Sequence, residues 1–420
     1  MTLVATSTGS TTTRAALPFI LVTVLIDMVA VGLIIPVLPL LVGTFTTSQA
    51  DQAYWFGAVM FAFAIANFFG SPILGALSDR YGRRPVLLIG FAGLGLSFFV
   101  TAVATALWML ILVRLFSGAM MANAAVANAY VADITAPQDR ARRFGLLGAM
   151  FGVGFILGPV LGGVLGDIDL RLPFYVAGVL ALLNLAYGTF VLPESLPRER
   201  RTAFEWRRAN PVAALQGLVG LHGVGSLVIA LALSALAQFI LHSTWVLYTA
   251  FKFGWGPLEN GWSLFAVGLM SAFVQGFLLK HLLQRFSVQR LAVMGLLSSS
   301  LCYLAWGLAP VGWVMFAVIG FNVLGFAVTA AMQSIVSNAA DESTQGRTMG
   351  ALSSLNSLMA VVAPVIGAAL LGFVSHLPRG DWRIGAPYYF CAALQAAAML
   401  IALRHFARTR ASTTLQPART

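Results

Sequence analysis

Twelve apolar runs, each long enough to cross a bilayer at about 20 residues, divide this chain. No soluble core takes in that many. They cover Leu17–Val42, Tyr54–Ala76, Pro85–Ala104, Ala106–Val131, Phe144–Gly166 and Pro173–Leu192, and then His222–Leu247, Trp262–Leu279, Leu291–Leu308, Val311–Val336, Met349–Phe373 and Pro387–Leu403. Charged residues make up 9 % and hydrophobic residues 59 % of the 420. This balance belongs to polytopic membrane proteins. The expected fold class is all-α membrane, with 12 transmembrane helices in two six-helix halves.

The net charge of +11 is explained by topology. With the N-terminus inside, 20 of the 25 Lys and Arg fall in cytoplasmic segments. Arg171, Lys252, Arg379 and Arg383 fall outside, and Arg114 lies within a span. This is the positive-inside pattern, so both termini are expected in the cytoplasm and no nucleic-acid partner is called for. Residues 1–16 are rich in Ser and Thr and lack the apolar core of a signal peptide. The two cysteines both lie in spans and suit packing. No metal-ligand spacing, nucleophile–base set or G-x-x-x-x-G-K-(S/T) nucleotide loop occurs. Neither a cofactor nor an enzyme activity is expected.

Shifting the chain by 205 residues aligns its halves through five spans. Gln284–Gly295 falls on Asp79–Gly90, and Pro364 and Gly367 fall on Pro159 and Gly162. The halves are read as 1–192 and 222–420, joined by a cytoplasmic linker at 193–221. The linker begins with a polar stretch, and its second part, Pro211–Leu221, is apolar enough to lie on the membrane surface. The copies differ in chemistry: Gln284 stands in for Asp79, and Lys280 for Gly75.

Between the second and third runs lies GALSDRYGRR, Gly75–Arg84. It reads as a tight polar loop, with a carboxylate at Asp79 among Arg80, Arg83 and Arg84. It matches G-x-L-x-D-R-x-G-R-(K/R) at each defined position and so resembles the loop signature of the major facilitator superfamily. The resemblance implies a conformational latch built from Gly75, Asp79, Arg80, Gly82, Arg83 and Asp133. In that family Asp79 docks at the N-terminus of the eleventh helix, here near Gly346–Gly350, and shares a charge relay with Arg83 and Asp133. A merely solvated, topology-setting loop is the alternative.

GFILGPVLGG in the fifth span is similar to that superfamily's antiporter motif. Pro159 removes a ladder hydrogen bond, while Gly154, Gly158, Gly162 and Gly163 allow close helix contact. Arg114 in the fourth span resembles an exporter motif, with Ser117-Gly118 one turn on. A charge there costs at least about 2.5–3.5 kcal/mol and needs a partner or water, although a snorkelling arginine is also compatible. Asp27 alone of the fourteen acids lies deep in a span, about 15 Å in at 1.5 Å per residue. Hydrocarbon disfavours the charged form of a carboxylate, which suits Asp27, with Arg114, to proton coupling. Permanent pairing of the two is the other reading. Asn123, Gln238, His242, Trp245, Met270 and Gln333 could line a substrate cavity or simply bridge helices.

Through residue 215 the chain resembles tetracycline efflux proteins, in IDMVAVGLIIPVLP, AYVADITAPQDRARRFG, GPVLGG and LPES. The acids and histidine that this family carries in spans three, nine and eight fall at Ser97, Ser298 and Met270. The expected function is proton-coupled export of a small amphipathic compound across the inner membrane, with protons, substrate and lipid as partners. One proton supplies about 2.3 kcal/mol per 100 mV. That is close to the roughly 2.7 kcal/mol of a 100-fold gradient. A metabolite or siderophore transporter and a non-transporting receptor or scaffold are the rivals.

Overall fold

The computed structural model describes residues 9–121, 123–206, 210–213, 225–338 and 345–414. Eight helices form the first part: α1 (Gly9–Ile34), α2 (Leu38–Gly43), α3 (Gln49–Tyr81), α4 (Arg83–Ala102), α5 (Leu107–Met120), α6 (Asn123–Asp133), α7 (Arg140–Ile168) and α8 (Leu172–Phe190). Eight more follow: α9 (Gly225–Phe253), α10 (Pro257–Phe273), α11 (Leu279–Arg285), α12 (Val288–Leu308), α13 (Trp313–Phe321), α14 (Val328–Asn338), α15 (Gln345–Val374) and α16 (Ala386–Thr414). Among the described residues eleven stretches are long and apolar enough to cross a membrane, and a pair bent by 56°, Trp313–Phe321 and Gly325–Val336, makes twelve when counted as one span. The twelve-helix, all-α expectation is met.

The described residues form two compact units, Met1–Leu38 with Ile65–Asn210, and Pro39–Ala64 with Pro211–Thr420. In the first, α1 packs against α7 and α8, and α4 against α5 and α8. Its core includes Ile20, Val24, Leu87, Phe91, Val126, Tyr130 and Leu147. In the second, α9 packs against α15 and α16, and α12 against α14 and α16. Leu231, Leu296, Val328, Met332 and Leu352 belong to its core. Most of Pro211–Leu221, and the start of the seventh run at His222, lie outside the described residues.

Three departures from the sequence reading bear on the site. First, GALSDRYGRR is not a loop. Helix α3 runs on to Tyr81 and α4 starts at Arg83, so Gly82 alone turns the chain, with φ of 108°. A side chain rarely adopts that conformation. Second, the fourth run is two helices, broken between Met120 and Asn123, and the tenth is broken around Asn322–Ala327. Third, α1 stops at Ile34, two residues before Pro36, because proline disfavours helical geometry in the residue ahead of it. By contrast α7 continues unbroken through Pro159.

Candidate functional site

At the α3–α4 turn the charges are wired together within the first unit. Arg83 is buried and pairs with Asp79 at 2.5 Å and with Asp133 at 3.0 Å. Its Nη1 also donates to Ser78 Oγ at 2.6 Å. Asp79, Arg83 and Asp133 are thus brought together: one guanidinium fork serves two carboxylates, the geometry arginine suits. Arg80 is exposed and lies over the Tyr81 ring, 5.2 Å from its centroid. A Cβ on Gly75 would meet nothing within 4 Å, so packing inside this unit does not demand a glycine there.

Glu194, in LPES, is the residue that sequence reasoning missed. Its carboxylate accepts the backbone N–H of Arg83 at 2.9 Å and of Arg84 at 3.3 Å, and those of Ser195 and Leu196 at 3.0 Å each. A carboxylate at a helix start satisfies free donors and complements the helix dipole. A Cβ on Gly82 would collide with this carboxylate. Thus Gly82 is required twice, by its φ and by its neighbour. The repeat contained the clue. Ser287 occupies the position of Gly82 in the second copy and caps α12 with its own side chain, accepting from Arg290 N at 3.3 Å. The first copy has no local cap and takes one from the linker. Ser195 Oγ donates to Asp133 at 3.2 Å, Tyr130 Oη donates to Pro193 O at 2.8 Å, and Thr202 N donates to Asp79 O at 3.2 Å. These bonds stitch the linker onto the charged cluster.

Asp27 is 5 % exposed, on the side of α1 reached by α6. Asn123 Nδ2 donates to its Oδ1 at 3.1 Å. One turn away, Asn184 of α8 donates to Thr23 O at 3.0 Å. The glycines of α7 lie flat on the same stretch of α1. A Cβ on Gly154 would strike Met28, one on Gly158 would strike Gly32, and one on Gly162 would strike the Leu33 carbonyl. Gly163 is buried beside them. The antiporter-type motif thus seats the helix that carries the deep acid. Such a backbone-to-backbone approach is what small residues permit in membrane helices.

Arg114 is also buried in this unit, 7 % exposed on α5. At the break between α5 and α6, Asn67 Nδ2 donates to Met121 O at 2.8 Å. The remaining cavity candidates are scattered. Gln238 and His242 are exposed one turn apart on α9. Trp245 is 3 % exposed, with its indole N–H on Ser263 Oγ at 2.9 Å and its ring against Trp306. Met270 packs beside Val274, Leu291 and Ala327, and Gln333 is half-buried on α14. Ser97 borders an apolar crevice of about 300 Å³, with Leu96, Trp108 and Phe116 among its walls. Its hydroxyl is bonded to Leu94 O at 2.7 Å.

Twelve spans in a repeated arrangement, an acid buried inside a span and a charged turn at one helix end define a multi-pass membrane protein of the transporter class. The chain belongs to the Major Facilitator Superfamily, whose family model matches residues 20–364 and 227–420. It is 36 % identical over 400 residues to the class C tetracycline resistance protein of Escherichia coli, covering 95 % of this chain and 99 % of the relative. The similarity therefore extends well past residue 215. It is 33 % identical over 370 residues to the class D protein of Salmonella ordonez, covering 88 % of this chain and 93 % of the relative. A bacterial homologue of the human lysosomal transporter Spinster shares the fold, with a TM-score of 0.74 at 16 % identity, covering 98 % of this chain and 100 % of that one.

Proposed function

We propose that this protein is a proton-coupled drug exporter of the tetracycline-efflux type. It acts in the inner membrane by alternating access, with both termini in the cytoplasm. The observation that carries the reading is Asp27, the one buried carboxylate among the described residues, facing α6 on the helix whose Met28–Leu33 stretch the α7 glycines grip. Loss and gain of a proton there changes the charge of a helix packed too closely to shift alone. The energy of proton entry is thereby passed to packing. Arg83, with Asp79, Asp133 and Glu194 around it, is the proposed latch at the α3–α4 turn. The 20-to-4 distribution of basic residues supports the orientation.

The reading is tested by expression in an efflux-deficient host against a drug panel, with everted vesicles to follow proton-linked uptake. Export of a lipophilic drug that collapses when the proton gradient is dissipated supports it. Drug accumulation unaffected by expression, with the protein present in the membrane, contradicts it.

A further inference from the structure

We infer that Asn123 is the positioning residue for Asp27, placed there by the break in the fourth span. The inference rests on the reading of Asp27 as the coupling carboxylate. Three observations carry it. The first is contact: both residues are 5 % exposed, and Asn123 Nδ2 donates to Asp27 Oδ1 at 3.1 Å.

The second is the repeat. Helices α6 and α14 each span 11 residues and are related residue for residue by the shift of 205, Asn123 falling on Val328. The two side chains fill the same slot. A Cβ on Gly90 would meet Asn123 Oδ1, and a Cβ on the equivalent Gly295 would meet Val328 Cγ2. The second half therefore shows that this slot accepts a branched apolar side chain. Helix α9, which opens that half, contains no acid. The amide appears in the copy where α1 brings a carboxylate within reach.

The third is the break itself. Asn123 is the first residue of α6, and the carbonyl of Met121 is taken by Asn67 at 2.8 Å. The chain is thus held open at the level of Asp27, and the start of α6 faces the carboxylate.

The chemistry follows from the amide. Its N–H donates to a charged carboxylate, and its carbonyl can accept from a protonated one, whereas valine offers neither. Other ionisable groups on the helices around α1 stand elsewhere. Arg140, Arg142 and Arg143 begin α7, Asp167 is near its end, Tyr187 of α8 meets Phe19, and Tyr130 and Asp133 close α6. Arg114 is buried on the neighbouring helix α5.

The test is an infrared pH titration of the full-length protein reconstituted in lipid. The carboxyl band of Asp27 is identified by its loss in Asp27→Asn. Asn123→Val, the residue of the second copy, should move the midpoint of that band upward by about one pH unit, the equivalent of one hydrogen bond to a charged group. Asn123→Thr, which keeps a donor, should stay near the parent and guards against a valine variant that does not accumulate. A titrating Asp27 band with the same midpoint in all three proteins overturns the role of Asn123 alone. No Asp27 band titrating between about pH 4 and 10 overturns the underlying reading of Asp27.

Discussion

Glu194 accepts the backbone N–H of Arg83 at 2.9 Å, so a linker carboxylate holds the first turn of a membrane helix 111 residues before it. The second half needs no such help, because Ser287 caps α12 from its own position. Glu194→Ala should cost about 1 kcal/mol, the usual value of a lost helix cap. The check is thermal unfolding in detergent. Gly82→Ser should not rescue the variant, since Gly82 has φ of 108°. Recovery of full stability in the double variant would show that the cap is local after all.

The Arg83 fork predicts a strong asymmetry between its two acids. Asp133 is the less exposed partner, with side-chain exposure of 20 % against 48 % for Asp79. Asp133→Asn should therefore destabilise more than Asp79→Asn, whose pair is largely screened by water. Asp79→Asn should lower transport while leaving protein level intact. Equal destabilisation by both substitutions would contradict the geometry.

Helix α7 provides its own control for close packing. Gly158→Ala places a Cβ against Gly32, whereas a Cβ on Gly152 meets nothing within 4 Å. The first should lose roughly 1–3 kcal/mol through overpacking. The second should be neutral or slightly stabilising, because alanine is the better helix former. Unfolding midpoints of the two single variants decide it, and equal midpoints would remove the grip of α7 on α1.

At the turn before α16, Asp381 is held below the usual carboxylate range, chiefly by hydrogen bonds from Arg383. A lowered pKa gives stability that is present above about pH 4 and lost as pH falls through the folded-state value. Asp381→Asn should thus narrow its difference from the parent protein only in acid. A difference that grows below pH 4 in unfolding scans would be inconsistent with this sign.

Much of this architecture was legible because its causes are local. Apolar run lengths located the spans, and the resemblance of the Gly75–Arg84 stretch to the superfamily signature pointed to Asp79, Arg83 and Asp133 together. What escaped was non-local. No proline marks LFSGAMMANAAV, and the carbonyl freed at Met121 is satisfied by Asn67, 54 residues earlier. Glu194 reads as an ordinary linker acid until the fold brings it to α4. Asn123 looked like one polar residue among several in the spans. Its neighbour on α1 sets it apart.

Tetracycline itself is expected to be a weak substrate. Among the described residues Asp27 is the one buried acid, and Ser97 borders an apolar crevice with its hydroxyl already bonded. A single buried acid suits a neutral or singly charged amphipathic compound. Inhibitory concentrations in a susceptible strain should rise more for some lipophilic drug than for tetracycline. Strong tetracycline resistance that survives Asp27→Asn would refute the assignment.

Proton coupling through Asp27 is the central claim, and drug-driven proton movement in everted vesicles measures it most directly. A drug that the parent protein exports is added to matched vesicles carrying either protein at equal level. Asp27→Asn should abolish proton release and gradient-driven uptake while leaving drug binding measurable. Proton-linked transport that persists in Asp27→Asn would contradict the account.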